Sequence, residues 1–301
     1  RNAKIKNEIL VFSKLQKNMI ELAYKEDVIL NISSFDDINH IESFYSKNKV
    51  SPRYHIKFDT GMTRLGFNLD DAKAIYDSLS KPLHPYIEGV YTHFATADEG
   101  DLSFAKKQLS DFKMVVRKVE SFGLKFKFIH CSNSGAVLNL EKSYFNMVRV
   151  GMLLYGALPS NEVIDNIGIK PVMSFCGSIV NVRKVKKNTP VSYGGVYKTA
   201  SDTNIAVIQT GFADGFPRPW FENGYVIYNR EKFKIAGRVC MDQLMIDFGD
   251  VVPELGDDVL FFGENQIGHL PVEIIADQIN STPYVLFTAI GGRTKLIYID
   301  E

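Results

Sequence analysis

Disulfide chemistry is the first thing this chain lacks. Its three cysteines, Cys131, Cys176 and Cys240, are too few and too scattered for a disulfide framework, and none stands in a Cys-x-x-Cys or Cys/His ligand spacing. A reducing, cytoplasmic setting is expected, with no metal site. Net charge is also absent. Lys+Arg and Asp+Glu balance at 35 each, so no overall field recruits nucleic acid or an acidic membrane, and an anionic ligand must be held locally. No apolar run approaches the about 18 residues that suggest a membrane span, and no signal-peptide pattern is found. The chain reads as soluble. It shows no internal repeat or low-complexity tract, and it begins with Arg1 and not Met, so an N-terminal truncation is expected.

What is present is enough apolar material for a sizeable core: 301 residues, 45% of them hydrophobic. In the first half, short strand-like runs alternate with longer amphipathic stretches. The runs are Ile9 to Phe12, Val28 to Ile32, Tyr54 to Phe58, Gly89 to His93 and Phe126 to His130, with helices expected at Asp70 to Ser80 and Leu102 to Phe122. Such alternation argues for βαβ units and a parallel sheet, and polar residues recur just past the strand ends, where a (β/α) barrel places its site. From about Pro171 the texture becomes closely spaced alternating runs punctuated by Gly, Pro and Asn, which reads as antiparallel strands. The boundary is expected between Leu158 and Lys170, giving an α/β domain over 1–162 and a mostly antiparallel β domain over 163–301. Strand candidates before Leu154 number nearer six than eight, and at about 30 residues per barrel unit roughly 60 residues are missing.

Several polar residues stand out against this frame, each with a bland reading beside the sharp one. Ser134 follows Asn133 in a turn after an apolar strand, where hydroxyl and N–H groups can hold phosphate; on spacing alone it is a turn residue. Arg149, within Val148-Arg149-Val150, must be paired or face a cavity, unless it is a strand-edge surface charge. His93 near a strand end is most often structural. Tyr193 is one of 14 tyrosines, and most tyrosines are packing.

Six strings change that balance: Asp59-Thr60-Gly61-Met62-Thr63-Arg64-Leu65-Gly66, Thr92-His93-Phe94-Ala95, Cys131-Ser132-Asn133-Ser134, Asn146-Met147-Val148-Arg149-Val150-Gly151, Val191-Ser192-Tyr193-Gly194 and Cys240-Met241-Asp242-Gln243. In this order, and from about residue 5 to the end, they closely resemble the alanine racemases, pyridoxal-phosphate enzymes of fold type III. The resemblance implies a (β/α)8-type barrel, N-terminally incomplete here, followed by the β domain, and a head-to-tail homodimer with shared active sites. It implies pyridoxal 5'-phosphate held by Ser134, by the backbone of Gly151 and Met152, and by Arg149, which faces the pyridine nitrogen. Because guanidinium keeps its proton, that nitrogen stays formally unprotonated. Tyr193 is implied as the acid/base on the L-face of the substrate, His93 as its hydrogen-bonding partner, Arg64 as a catalytic arginine that orients the tyrosine and contacts the substrate carboxylate, and Met241 as a further contact to that carboxylate. Lys57 matches a lysine that some members carbamylate, and Asp214 belongs to a loop near the entrance.

The departures matter too. Phe212 stands where the family more often has tyrosine, and Gly291-Gly292-Arg293 replaces an ending in which some members carry a phosphate-contacting tyrosine. The family's cofactor-binding lysine lies in a Lys-x-x-x-Tyr-Gly string that this chain does not contain. The resemblance therefore implies an L-/D-alanine racemase working by two-base proton transfer, inactive as this chain alone, with D-alanine destined for cell-wall precursors. The alternatives are a racemase of serine or a broader set of small amino acids, and a non-catalytic pyridoxal-phosphate-binding homologue. Retention of both Tyr193 and His93 argues against the last.

Overall fold

Val28-Ile29-Leu30-Asn31-Ile32 is nearly continuous in apolar, β-branched residues, the signature of a strand covered on both faces. In the computed structural model, which describes residues 3–163 and 167–299, it forms a strand with those bounds. It is the second of five parallel strands in sequential order: β1 (Ile9–Leu10), β2 (Val28–Ile32), β3 (Tyr54–Lys57), β4 (Ile87–Tyr91) and β5 (Phe128–His130). A single parallel bridge from His130 to Met147 continues the sheet beyond β5. Arg149 was expected within an apolar strand. It lies instead in irregular chain, tied to the sheet by its N–H, which donates to the Ser132 carbonyl at 2.8 Å.

The helices are α1 (Ile20–Lys25), α2 (Phe35–Asn48), α3 (Ala72–Ser78), α4 (Ser103–Ser121) and α5 (Ser134–Asn139). Capping explains α2: the Ser34 hydroxyl accepts from the Asp37 N–H at 3.2 Å, Asp36 and Asp37 sit in the first turn, and Lys49 closes the far end in a left-handed conformation. In α4 the buried residues Ala105, Gln108, Leu109, Phe112, Val115, Val116 and Val119 recur at three- and four-residue spacing, a helix with one face in the core. That face joins Tyr54, Ile56, Phe58 and Val90 in one apolar cluster. Each such large side chain contributes about 1.5–3 kcal/mol by leaving water. Strand parity sends Asn31, His55, Lys57, Gly89 and Tyr91 to the other face of the sheet.

Contacts divide the chain into two units, the first running to Val150 and the second from Gly151 onward, except that Glu162 and Val163 pack with the first. Residues 164–166 of the expected boundary stretch lie outside the described residues. The second unit contains β6 (Phe175–Val185), β7 (Pro190–Val191), β8 (Tyr197–Lys198), β9 (Thr203–Ile208), β10 (Tyr225–Tyr228), β11 (Glu231–Ile235), β12 (Leu244–Asp247), β13 (Asp258–Asn265) and β14 (Gly268–Leu270). All their pairings are antiparallel, with β7 and β8 forming a separate hairpin. The order β10-β11-β12-β9-β6-β13 returns to β10 through Ile227 and Leu260, so six strands close on themselves. The closed sheet surrounds a second apolar cluster that includes Trp220, Phe261, Phe262 and Ile246. Two helices, α6 (Val272–Gln278) and α7 (Pro283–Ala289), follow the strands.

Candidate active site

Arg149 shows how a cation can be kept in the first unit without a carboxylate. Its Nη1 donates to His130 Nδ1 at 2.6 Å, and its Nη2 donates to the Thr92 carbonyl at 2.8 Å, the Cys131 carbonyl at 3.1 Å and His93 Nδ1 at 3.3 Å. The guanidinium also lies over the rings of Tyr91 and Phe12, at 5.3 and 5.6 Å from their centroids. Among the described residues no carboxylate pairs with it. Burial pulls its pKa down to about 10, which still leaves it charged at neutral pH.

Because guanidinium only donates, it dictates the histidine tautomers. His130 must accept at Nδ1, so its hydrogen is on Nε2, which faces His55 Nδ1 at 2.9 Å. His55 in turn carries its hydrogen on Nε2, a buried atom with no hydrogen-bond partner. Burial first, and Arg149 second, hold the His130 pKa far below the ordinary imidazole range, at about 2, and burial lowers His55 to about 4. Both rings are neutral links. Packing fixes them: His130 stacks on Tyr91 at 4.8 Å with an interplanar angle of 5°, and a Cβ on Gly89 would come within 2.7 Å of the His55 ring. Only glycine lets that ring lie flat on β4.

His93 follows β4 by two residues and is also neutral, its pKa lowered to about 4 by burial and by Arg149. With Nδ1 accepting from Arg149, its hydrogen sits on Nε2. Gln108 of α4, fully buried, holds this segment: its carbonyl accepts from the Ala95 N–H at 3.0 Å, and its amide donates to the His93 carbonyl and Thr60 Oγ1, each at 3.2 Å. Lys57 is buried at the end of β3, 5.7 Å from the Tyr91 centroid, and burial, then the nearby Arg64 charge, lower its pKa to about 8. Arg64 itself is exposed, on the loop that Asp59 shapes by accepting from the Gly61 and Thr63 N–H groups at 2.8 and 3.1 Å. Ser134 is buried at the start of α5, where Asn133 caps the helix by accepting from the Ala136 N–H at 3.0 Å.

The other expected site residues belong to the second unit. The Met152 N–H donates to the Tyr284 hydroxyl at 3.0 Å, in the group the resemblance assigns to phosphate. Tyr193 and Met241 are exposed, 65% and 56% accessible. Tyr193 sits in the turn after β7, where Ser192 adopts φ +64°, ψ −174°, a region that costs a non-glycine residue about 1–3 kcal/mol. Met241 belongs to a loop braced from two sides: the Phe212 and Ala213 N–H groups donate to the Cys240 and Met241 carbonyls, each at 3.0 Å, and Arg293 donates to Asp242 at 2.6 Å. Cys131 donates to the Ser143 carbonyl and burial pushes its thiol up to about 12, a packing role.

Sequence reasoning gave no role to His130, His55, Gln108 or Tyr91, nor to Asn31, whose side-chain carbonyl accepts from the Tyr91 hydroxyl at 2.9 Å. One signal was available: His55 and Lys57 alternate with Tyr54 and Ile56, which puts two titratable groups on one face of β3.

The chain as a whole is similar to known proteins. Residues 1–159 match the family described as alanine racemase, N-terminal domain, and residues 172–298 match alanine racemase, C-terminal domain. An alanine racemase of Desulforamulus reducens is 34% identical over 302 residues, covering 99% of this chain and 81% of the relative. Among solved structures, the alanine racemase of the D-cycloserine producer Streptomyces lavendulae superposes with a TM-score of 0.91 at 28% identity, over all of this chain and 80% of that one. The alanine racemase of Bacillus anthracis with bound L-Ala-P gives 0.84 at 32%, over 96% of this chain and 75% of that one. With a parallel half-barrel and an antiparallel β unit matched in turn, each by its own family domain, this chain belongs to the alanine racemase family.

Proposed function

We propose that these residues serve the interconversion of L- and D-alanine with pyridoxal 5'-phosphate, in a cytoplasmic homodimer whose sites are shared between copies. The observation that carries the reading is Arg149: a buried guanidinium whose partners are two carbonyls and two neutral imidazoles. Such a donor set fits the basic nitrogen of a pyridine ring. Ser134 and the backbone of Gly151 would hold the phosphate, joined by the Met152 N–H once it exchanges the Tyr284 hydroxyl for a phosphate oxygen, which neutral donors can do without a basic patch. Bound pyridoxal phosphate supplies an electron sink that acidifies the substrate Cα–H.

The chain's own groups do the rest. Arg149 keeps its proton at working pH and donates it toward the ring without transferring it. His93, neutral and with its hydrogen on Nε2, offers a donor to a phenol oxygen, and a tyrosine of ordinary pKa about 10 needs such help to act near neutrality. Tyr193 of a second copy moves the proton on the L-face. Arg64 and the Met241 N–H orient the substrate carboxylate. The domain roles follow, with 1–162 holding the cofactor and 163–301 contributing Tyr193 and Met241 to the partner copy.

No Lys-x-x-x-Tyr-Gly string occurs in these 301 residues. The second base is therefore lacking, and a proton taken from one face cannot be returned to the other. The half-barrel acts together with a lysine-bearing βα segment that completes it. The 301-residue chain should show no appreciable racemisation of alanine with added cofactor, whereas the chain preceded by such a segment should show it. Robust turnover by the 301 residues alone, or none by the extended protein, defeats the proposal.

A further inference from the structure

The Tyr193 side chain has no hydrogen bond, ring contact or ion pair among the described residues, although it is two-thirds exposed. Whatever direction it holds is imposed by the backbone beneath it. That backbone is a run of left-handed residues: Ser192 at φ +64°, Gly194 at +74° and Gly195 at +55°. The two glycines occupy such positions at no cost, and Ser192 does not. Its hydroxyl donates to the Arg238 carbonyl at 2.5 Å, and its own carbonyl accepts from the Gly195 N–H at 3.1 Å. The hydroxyl thus links the tyrosine turn to the 238–243 loop, which the Phe212 and Ala213 amides hold from the other side. The loops meet tightly. A Cβ at Gly237 would stand 2.8 Å from both Ser192 Cβ and the Val191 carbonyl.

We propose that Ser192 is the positioning residue of Tyr193: it accepts an unfavourable backbone conformation so that its hydroxyl can fix the tyrosine turn to the Met241 loop and present both as one rigid pair. Glycine at 192 would relax the backbone and release the turn. Alanine would keep the strain and lose the anchor.

The inference rests on the reading of Tyr193 as the L-face base, and two measurements separate the two claims. The first needs no activity: amide hydrogen exchange of Tyr193 to Val196 in the 301-residue chain. Ser192→Ala and Ser192→Gly should each accelerate it about tenfold, the worth of one hydrogen bond. Thermal stability should not fall in Ser192→Gly. Unchanged exchange in the glycine and alanine variants would overturn the proposal. The second uses the lysine-extended protein, reading Cα-deuterium incorporation from each enantiomer. Ser192→Gly should slow exchange from L-alanine more than from D-alanine, in the direction of Tyr193→Phe but by less, and equal slowing would overturn the positioning role. If Tyr193→Phe itself slows both enantiomers equally, the base assignment fails, and the amide exchange still decides what Ser192 does.

Discussion

The two units hold their functional residues by opposite means. In the first, a parallel sheet buries His130, His55 and Lys57 and partly buries Arg149 and His93, and it meets the cost with neutral acceptors, aromatic faces and tautomers forced by one guanidinium. In the second, whose six-stranded antiparallel ring has no free edge, Tyr193 stands out into solvent on the strained turn of a separate hairpin and Met241 on a braced loop. The first arrangement tunes charge, which needs a low dielectric. The second sets direction, for which backbone geometry suffices. In the proposed reaction, the electrostatics come from the first unit of one copy and the proton carrier from the second unit of its partner.

The largest expected difference is in local opening. The sheet of the first unit ends at β1, which pairs with β2 at Ile9 and Leu10, with one further bond from the Val11 N–H to the Ile29 carbonyl at 3.0 Å. Beside it lies a cavity of about 640 Å³ lined by Ile9, Val11, Leu15, Leu22 and Leu30, with Phe12 and Leu22 nearly half exposed. An unpaired edge over uncovered apolar surface opens easily. Amides of β1 and β2 should exchange about a thousandfold faster than those of β9 and β6, a gap of about 4 kcal/mol in opening free energy. Joining the lysine-bearing segment should protect β1 selectively. Equal protection of the two sheets in the 301-residue chain would break the comparison at its root.

Next in size is the test of how the cation is held. Arg149→Lys keeps a positive charge but has a single nitrogen where the fork of Arg149 reaches four acceptors. Three donors on one nitrogen cannot serve those four acceptors, so at least one would be left unmet. A loss of about 3 kcal/mol is expected in urea unfolding followed by helical circular dichroism, five of the seven helices being in the first unit. A loss within experimental error would mean that charge alone, and not the directional donor set, holds the site.

The sequence made part of this contrast legible and hid the rest for physical reasons. β2 appears with the bounds read from its apolar run, because a strand paired on both sides shows its whole length in composition. β1 is shorter than Ile9 to Phe12, since an edge strand lacks the second neighbour that would hold its last residues. Arg149, His93 and Ser134 could be picked out because they sit in recognisable strings. The relay behind Arg149 could not: His130 and His55 are 75 residues apart and meet only through sheet register. Gln108 looked like one more polar residue within an amphipathic helix, and nothing in a serine announces a left-handed backbone at 192.

The smallest effect per group is that of pH, and its sign follows from the same neutral relay. His55 and His93 have folded pKa values of about 4, and His130 of about 2, all below the ordinary value of 6.5. As pH falls below 6.5, these imidazoles take up protons in the unfolded chain while the folded chain keeps them off. The unfolded state binds more protons, so acid destabilises the first unit. The contribution is fully present above pH 6.5. Below it, each histidine costs at most about 1.4 kcal/mol per pH unit, continuing to about pH 4 for His55 and His93 and lower for His130. The second unit has only one of the six histidines, His269, and the single tryptophan, Trp220, buried in its core. Tryptophan fluorescence therefore reports on it alone. Between pH 7 and 5, the urea midpoint read by helical circular dichroism should fall clearly more than the midpoint read by Trp220, and His130→Asn should shallow the first slope while leaving the second unchanged. Parallel slopes for the two signals would mean that neutral histidines are not what sets the first unit apart, and that the division between buried charge and strained presentation has been drawn in the wrong place.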